Sequence, residues 1–218
     1  MCPANSGLGA PLSHPVRLAV LLSGSGTTLQ NFLDRIADGR MQAQIAVVIA
    51  SRADAGGLER ARRAGVPVTA VPRKEFPDVE RFNDALHAEL ARYAFDLITL
   101  AGFLSPFQLR NRYAGRVLNI HPALIPAFCG KGFYGAKIHQ AALDAGVKVS
   151  GCTVHFADDQ YDHGPIVLQG TVPVLDDDTP ETLAARVHAV ENELYPEAIR
   201  LWAEGRLEIV GRRVRVKS

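Results

Sequence analysis

Apolar residues along this chain come in short dense runs, and between the runs they recur at helical spacing. VRLAVLL at 16–22 reads as a buried strand, because a strand covered on both faces shows no alternation. Over 27–38, Leu29, Phe32, Leu33 and Ile36 fall on one helical face, and Gly39 suits the C-terminal cap. AQIAVVIAS at 43–51 predicts a second strand, GLERARRAG at 57–65 a short helix and VPVTAV at 66–71 a third strand. Val79, Phe82, Leu86 and Leu90 space a helix over 78–93, and FDLITLAG at 95–102 predicts a fourth strand. Strands alternating with helices imply a parallel sheet covered on both faces. Right-handed crossovers would line the strand C-termini along one edge, where open α/β sheets bind ligands.

The second half is richer in strands. RVLNIHP, SGCTVHFAD and PIVLQGTVPV each read as one, and a long helix follows over 180–199. Thr179 is placed to cap that helix, Pro180 suits its first position, and Glu181 complements its dipole. RLEIVGRRVRV predicts a C-terminal hairpin turning at Val210 and Gly211. The expected fold class is α/β: a Rossmann-like, mostly parallel twisted sheet with helices on both faces and a strand-rich C-terminal half. Residues 1–15 read as a flexible N-terminal extension and 16–218 as a single domain.

Composition narrows the classes. The 218 residues carry 24 Lys and Arg against 23 Asp and Glu, a net charge of +1 that draws the chain to neither nucleic acid nor membrane. An anionic ligand must therefore be caught by a local device. Cys2, Cys129 and Cys152 form no CxxC pair and no even framework, which suits a reducing cytoplasm. The first 15 residues lack the apolar run of a secretory signal, and no segment is long and apolar enough to span a bilayer. Histidine spacing shows no metal-ligand pattern, so no metal is expected.

LLSGSGTTLQ at 21–30 is the candidate device. Gly24 and Gly26 follow a predicted strand and open a predicted helix, so backbone N–H groups there can hold an anion, with Ser23, Ser25, Thr27 and Thr28 adding hydroxyls. Leu29 stands where a dinucleotide fingerprint has its third glycine, and no acid follows Ser51 and Arg52 to meet a ribose hydroxyl. No Gly-Lys-Ser/Thr follows either, which removes a Walker loop. The choice left is a plain strand–helix turn or a site for one terminal phosphate.

VLNIHPALIP at 117–126 carries the candidate chemistry. Asn119 and His121 lie two apart at the end of an apolar strand and so face the same way. Taken alone, His121 could be a hydrogen-bonded core histidine, and Asp162, ahead of Gly164 and Pro165, a plain turn aspartate. If Asp162 instead approaches His121, it favours the charged ring, and a cationic His beside an Asn amide stabilises a developing oxyanion. No serine or cysteine motif marks a covalent nucleophile, so the layout suits direct attack by a substrate amine. His139 and His155 are weaker candidates; His155, in TVHF, faces the core or a pocket wall, with the core preferred, and 129–139 reads as a glycine-rich loop on the surface or facing substrate.

SGSGTTLQ, SRADAGGLERARRAGVPV, LAGFL, YAGRVLNIHPALIP, TVHFADDQYDHGPIVLQ and ARVHAVENELYP occur in this order over about 16–203. Together they resemble the phosphoribosylglycinamide formyltransferases, a folate-dependent family of purine synthesis. The resemblance implies transfer of the formyl group of 10-formyltetrahydrofolate to a ribonucleotide amine. It implies that Asn119, His121 and Asp162 are catalytic. It implies that Gly26, Thr27, Thr28 and Glu191 bind the phosphoribosyl group. It also implies that Phe103, Leu104, Asn119, Asp158 and Tyr161 meet the folate, and that the bond before Pro126 is cis. Partners would be small molecules only, with the assembly a monomer or homodimer. A formyltetrahydrofolate hydrolase, expected to carry an added N-terminal domain, and a noncatalytic phosphosugar-binding module are the alternatives. A tRNA formyltransferase would need a C-terminal RNA-binding domain, and a Rossmann reductase the missing glycine and acid.

Overall fold

The structure, a computed structural model, describes residues 6–110 and 112–217. In chain order the elements are β1 (Ser6–Gly7), β2 (Val16–Leu22), α1 (Thr27–Ala37), β3 (Ala43–Ala50), α2 (Gly56–Arg63) and β4 (Val68–Ala70). A 3-10 turn (Arg73–Glu75), α3 (Val79–Leu90), β5 (Leu97–Leu100) and β6 (Val117–His121) follow. The chain ends with α4 (Ala136–Asp144), β7 (Val149–Phe156), β8 (Ile166–Pro173), α5 (Pro180–Ala203), β9 (Leu207–Val210) and β10 (Arg213–Val216). Two compact units divide these elements, and the division falls inside β6, after Leu118.

In the unit Leu12–Leu118 the strands run parallel in the order β5-β2-β3-β4, with Leu18 opposite both Ile45 and Leu97. Every residue of β2 is buried except Arg17, whose guanidinium pairs with Asp96 at 2.8 Å. α1 buries Leu29 and Phe32 as its spacing predicts, while Leu33 and Ile36 are half-exposed and Arg35 is buried in their stead. Burying a leucine or phenylalanine contributes about 1.5–3 kcal/mol each, and this apolar interior holds α1 to α3 on the strands.

The turn after β2 is shaped by close backbone contact. Gly26 has φ +74, and a Cβ there would lie 2.6 Å from the Cα of Gly57. Gly57, at the start of α2, donates its N–H to Gly24 O at 3.1 Å, and its own Cβ would meet Leu22. Leu29 is fully buried, so α1 packs through a whole side chain at the position where a third glycine would permit backbone approach. The intimate contact is between the loop and α2 instead.

The other unit, 6–11 and 119–217, takes the strand order β1-β9-β10-β8-β7-β6. β7 and β8 are antiparallel, with Cys152 opposite Gly170 and a bulge between Val154 and His155. β9 and β10 form the predicted hairpin, turning through Gly211 and Arg212. α5 runs four residues past the predicted end. Thr179 and Thr182 cap it reciprocally, and Leu183 and Val187 join Cys152 and Val172 in the core. α4 lies partly in the segment read as a glycine-rich loop. No side chain caps it, and tertiary burial of Ile138, His139 and Ala142 holds it. Ser6 pairs with Ile209, so the expected flexible extension is seated from β1 onward, and residues 1–5 lie outside the described residues. Among the described residues, no helix is long and apolar enough to cross a membrane.

Gly26→Ala is expected to cost about 1–3 kcal/mol, because it adds both left-handed strain and a backbone clash. Urea unfolding measures this, and a parent-like midpoint would refute the contact with Gly57.

Candidate active site

Asn119 and His121 project from one side of β6, and the loop between β7 and β8 brings Asp162 to them. Asn119 Nδ2 donates to Asp162 Oδ1 at 3.3 Å, His121 Nδ1 lies 3.5 Å from Oδ2, and the N–H of Gly130 donates to Oδ2 at 2.9 Å. The three residues proposed from the sequence are therefore together in space. Asp162 sits at φ 53, a left-handed conformation that aspartate tolerates better than most residues. The loop closes tightly behind it. A Cβ on Gly164 would fall 1.8 Å from Phe156 O, so only glycine fits.

A fourth member is His155, a weaker candidate for which the sequence favours the core. His155 is 1% exposed, yet its Nε2 lies 3.0 Å from Asn119 Nδ2 and 3.7 Å from Asp162 Oδ1. The bulge in β7 changes the register at this residue, as bulges beside active sites do. The signal available in the sequence was its place at the end of the strand that leads into the Asp162 loop.

Carbonyl partners settle the ring protons. His121 Nε2 lies 2.9 Å from Phe128 O, which can only accept, so Nε2 carries hydrogen and Nδ1 faces Asp162. His155 Nδ1 lies 2.9 Å from Phe156 O and donates to it, leaving Nε2 to accept from Asn119. Turning the Asn119 amide over would set its oxygen against a carboxylate, so its orientation is fixed by charge. Burial alone would push the Asp162 carboxyl up. The charge of His121 and the Gly130 N–H outweigh burial and hold it below the ordinary carboxylate range.

The segment after His121 is held from beneath. Thr153 Oγ1 donates to Ala123 O at 2.7 Å and accepts from the N–H of Ile125 at 3.1 Å, while Gln169 Nε2 donates to Ile125 O at 3.1 Å. The Ile125–Pro126 bond is cis, as the resemblance implied. Neither Thr153 nor Gln169 stood out in the sequence, because the main-chain atoms they hold lie far along the chain.

The remaining candidates fall in several places. Gly26 opens α1 with no capping side chain and no acid in the first turn, so the positive helix end is uncompensated. Thr27 is exposed and Thr28 half-exposed there. Ser23, expected to add a hydroxyl, is buried instead, with Oγ 2.6 Å from Ser51 Oγ and accepting the Leu104 N–H at 2.8 Å. Glu191 on α5 accepts from His188 Nδ1 at 3.0 Å and raises that histidine's pKa against the effect of burial. His139 is buried, its Nδ1 has no hydrogen-bond partner, and burial lowers its pKa.

Two expected folate contacts also have partners within the chain. Phe103 is buried and stacked on Phe82, with centroids 6.4 Å apart, so its ring supports the interior. Asp158 has both oxygens engaged within its own loop, by the Gln160 N–H at 2.9 Å and His163 Nδ1 at 2.7 Å. Leu104 and Tyr161 are 58% and 49% exposed and are large hydrophobic residues at the surface. Among the described residues, no group of three His, Cys, Asp or Glu side chains could hold a metal ion.

A family model described as formyl transferase matches residues 16–199, and the chain belongs to that family. It is 41% identical over 196 residues to phosphoribosylglycinamide formyltransferase of Haemophilus influenzae, covering 88% of this chain and 90% of that one. It is 39% identical over 197 residues to the human trifunctional purine biosynthetic protein adenosine-3, covering 88% of this chain and spanning 19% of the trifunctional protein's length. Among solved structures, glycinamide ribonucleotide transformylase 1 from Symbiobacterium toebii superposes with a TM-score of 0.88 at 49% identity, covering 95% and 96% of the two chains.

Because the native Asp162 carboxyl is held low, its stabilising effect is complete above the ordinary carboxylate pKa. That effect is lost as pH falls through the lowered native value. Asp162→Asn should therefore unfold at lower urea than the parent at neutral pH, and the gap should close in acid. A gap independent of pH would mean that the carboxylate is not held by charge.

Proposed function

We propose that this chain transfers the formyl group of 10-formyltetrahydrofolate to the amine of 5-phosphoribosylglycinamide, a step of de novo purine biosynthesis. The observation that carries this reading is the meeting of Asn119, His121 and Asp162 at one point, in a member of the formyl transferase family. The folate supplies an activated formyl carbon. A bond forms from the amine nitrogen to that carbon, the bond to the folate nitrogen breaks, and one proton passes from the amine to the departing nitrogen.

Each residue has a task in this scheme. The Asn119 amide and the His121 Nδ1–H, which yields its 3.5 Å contact with Asp162 while Nε2 stays on Phe128 O, donate to the formyl oxygen as charge gathers on it, where preorganised donors matter most. Asn119 already gives its N–H groups to His155 and Asp162, and the 3.3 Å bond to Asp162 is the weaker, hence the one to yield. Asp162 supplies the negative charge that a doubly protonated His121 needs beside it, and the pair carries the proton. The first turn of α1, with Gly26, Thr27 and Thr28, takes the phosphomonoester, and Glu191 accepts from ribose hydroxyls.

The chain's residues suit a folate. Leu104 and Tyr161 offer apolar contact, with Phe103 behind Leu104 and Asp158 shaping the loop of Tyr161. On this reading residues 16–218 work as one formyltransferase domain. Cys129 and Cys152 are free thiols, as a reducing cytoplasm would keep them.

Purified enzyme should transfer formyl to the ribonucleotide, and His121→Ala should lower kcat by about 10²–10⁴-fold, the combined range for losing a proton-transfer group and an oxyanion donor. Parent-like turnover in the variant would remove His121 from the chemistry. Formate release by the parent without ribonucleotide would assign a hydrolase. Ribonucleotide binding with no turnover would assign a binding module.

A further inference from the structure

The loop that carries Asp162 is gripped by the C-terminal hairpin, which lies beyond the matched residues 16–199. β10 runs parallel to β8 with Arg213 opposite Ile166, the first residue of β8. That register sets Arg212 beside the loop entering β8. Its Nη1 lies 2.6 Å from His163 Nε2, and its Nη2 donates to His163 O at 2.8 Å. A guanidinium only donates, so His163 Nε2 accepts and the ring proton sits on Nδ1. Nδ1 in turn donates to Asp158 Oδ2 at 2.7 Å, and Asp158 Oδ1 accepts the Gln160 N–H at 2.9 Å.

One arginine thus holds both the backbone and the ring of the residue next to Asp162, and the ring passes the hold to the acid at the start of the loop. The left-handed conformation of Asp162, at φ 53, is a minor one for any residue but glycine, so the contacts around it help to hold it. We propose that Arg212, acting through His163 and Asp158, is a positioning residue. It sets the loop conformation that presents the Asp162 carboxylate to Asn119 and His121. The proposal rests on the catalytic reading of Asp162.

Steady-state transfer by the full chain tests it with Arg212→Ala, Arg212→Lys, His163→Ala, the double alanine variant and Asp162→Asn, each with its thermal midpoint. Exposed charge-assisted bonds are individually weak, so Arg212→Ala should lower kcat about fivefold while KM for 5-phosphoribosylglycinamide stays within about twofold. The thermal midpoint should not move. Arg212→Lys should recover part of the rate, because an ammonium reaches one of the two acceptors. The double variant should be no slower than either single one, since all break the same chain of bonds. Parent kcat in Arg212→Ala, or losses that add in the double variant, would overturn the brace if Asp162→Asn is inactive. Turnover retained by Asp162→Asn would overturn the catalytic reading of Asp162 instead.

Discussion

A carboxylate kept ionised inside the protein is the constraint around which the site is built. The Asp162 side chain is only 11% exposed, and an uncompensated charge so placed would cost several kcal/mol. Compensation comes from three directions: the Asn119 amide, the Gly130 N–H and the His121 ring. Each of these needs its own support. The amide needs an acceptor at His155, His155 needs the Phe156 carbonyl, and His121 needs the Phe128 carbonyl. The polar cluster is therefore a closed set of donors and acceptors in which the charge on Asp162 decides every orientation.

Close backbone approach makes room for that set. At Gly164 only a hydrogen fits against Phe156 O, and at Gly151 a Cβ would stand 2.0 Å from Gly170 O. Gly170 in turn lets Val190 of α5 press on β8. In the other unit Gly26 and Gly57 do the same for the proposed phosphate loop. Neither a side chain's polarity nor its size would explain these positions. They are set by how near one stretch of main chain comes to another.

Much of this could be read from residue order. Dense apolar runs placed the strands within a few residues, and Thr179 and Pro180 announced α5. The two-residue spacing of Asn119 and His121 put both on one side of β6, since strand geometry is local. α4 escaped because glycines surround its start and its stability comes from burial rather than a cap. The sequence leaves His155 between core and pocket wall because a bulge alters its register, and a bulge leaves no mark in an apolar strand. The partners of Phe103 and Asp158 within the chain, Phe82 and His163, are set by packing and leave no local pattern.

By itself the sequence determined the α/β class, the order of strands and helices, and the residue types able to stabilise an oxyanion and move a proton. Those follow from periodicity and local chemistry, which span only a few neighbours. Only the tertiary structure decided that His155 joins the cluster, that Ser23 is an internal tie and that Arg212 braces a loop 49 residues earlier. Burial and hydrogen-bond pairing between distant segments are properties of the packed chain, and no local pattern encodes them.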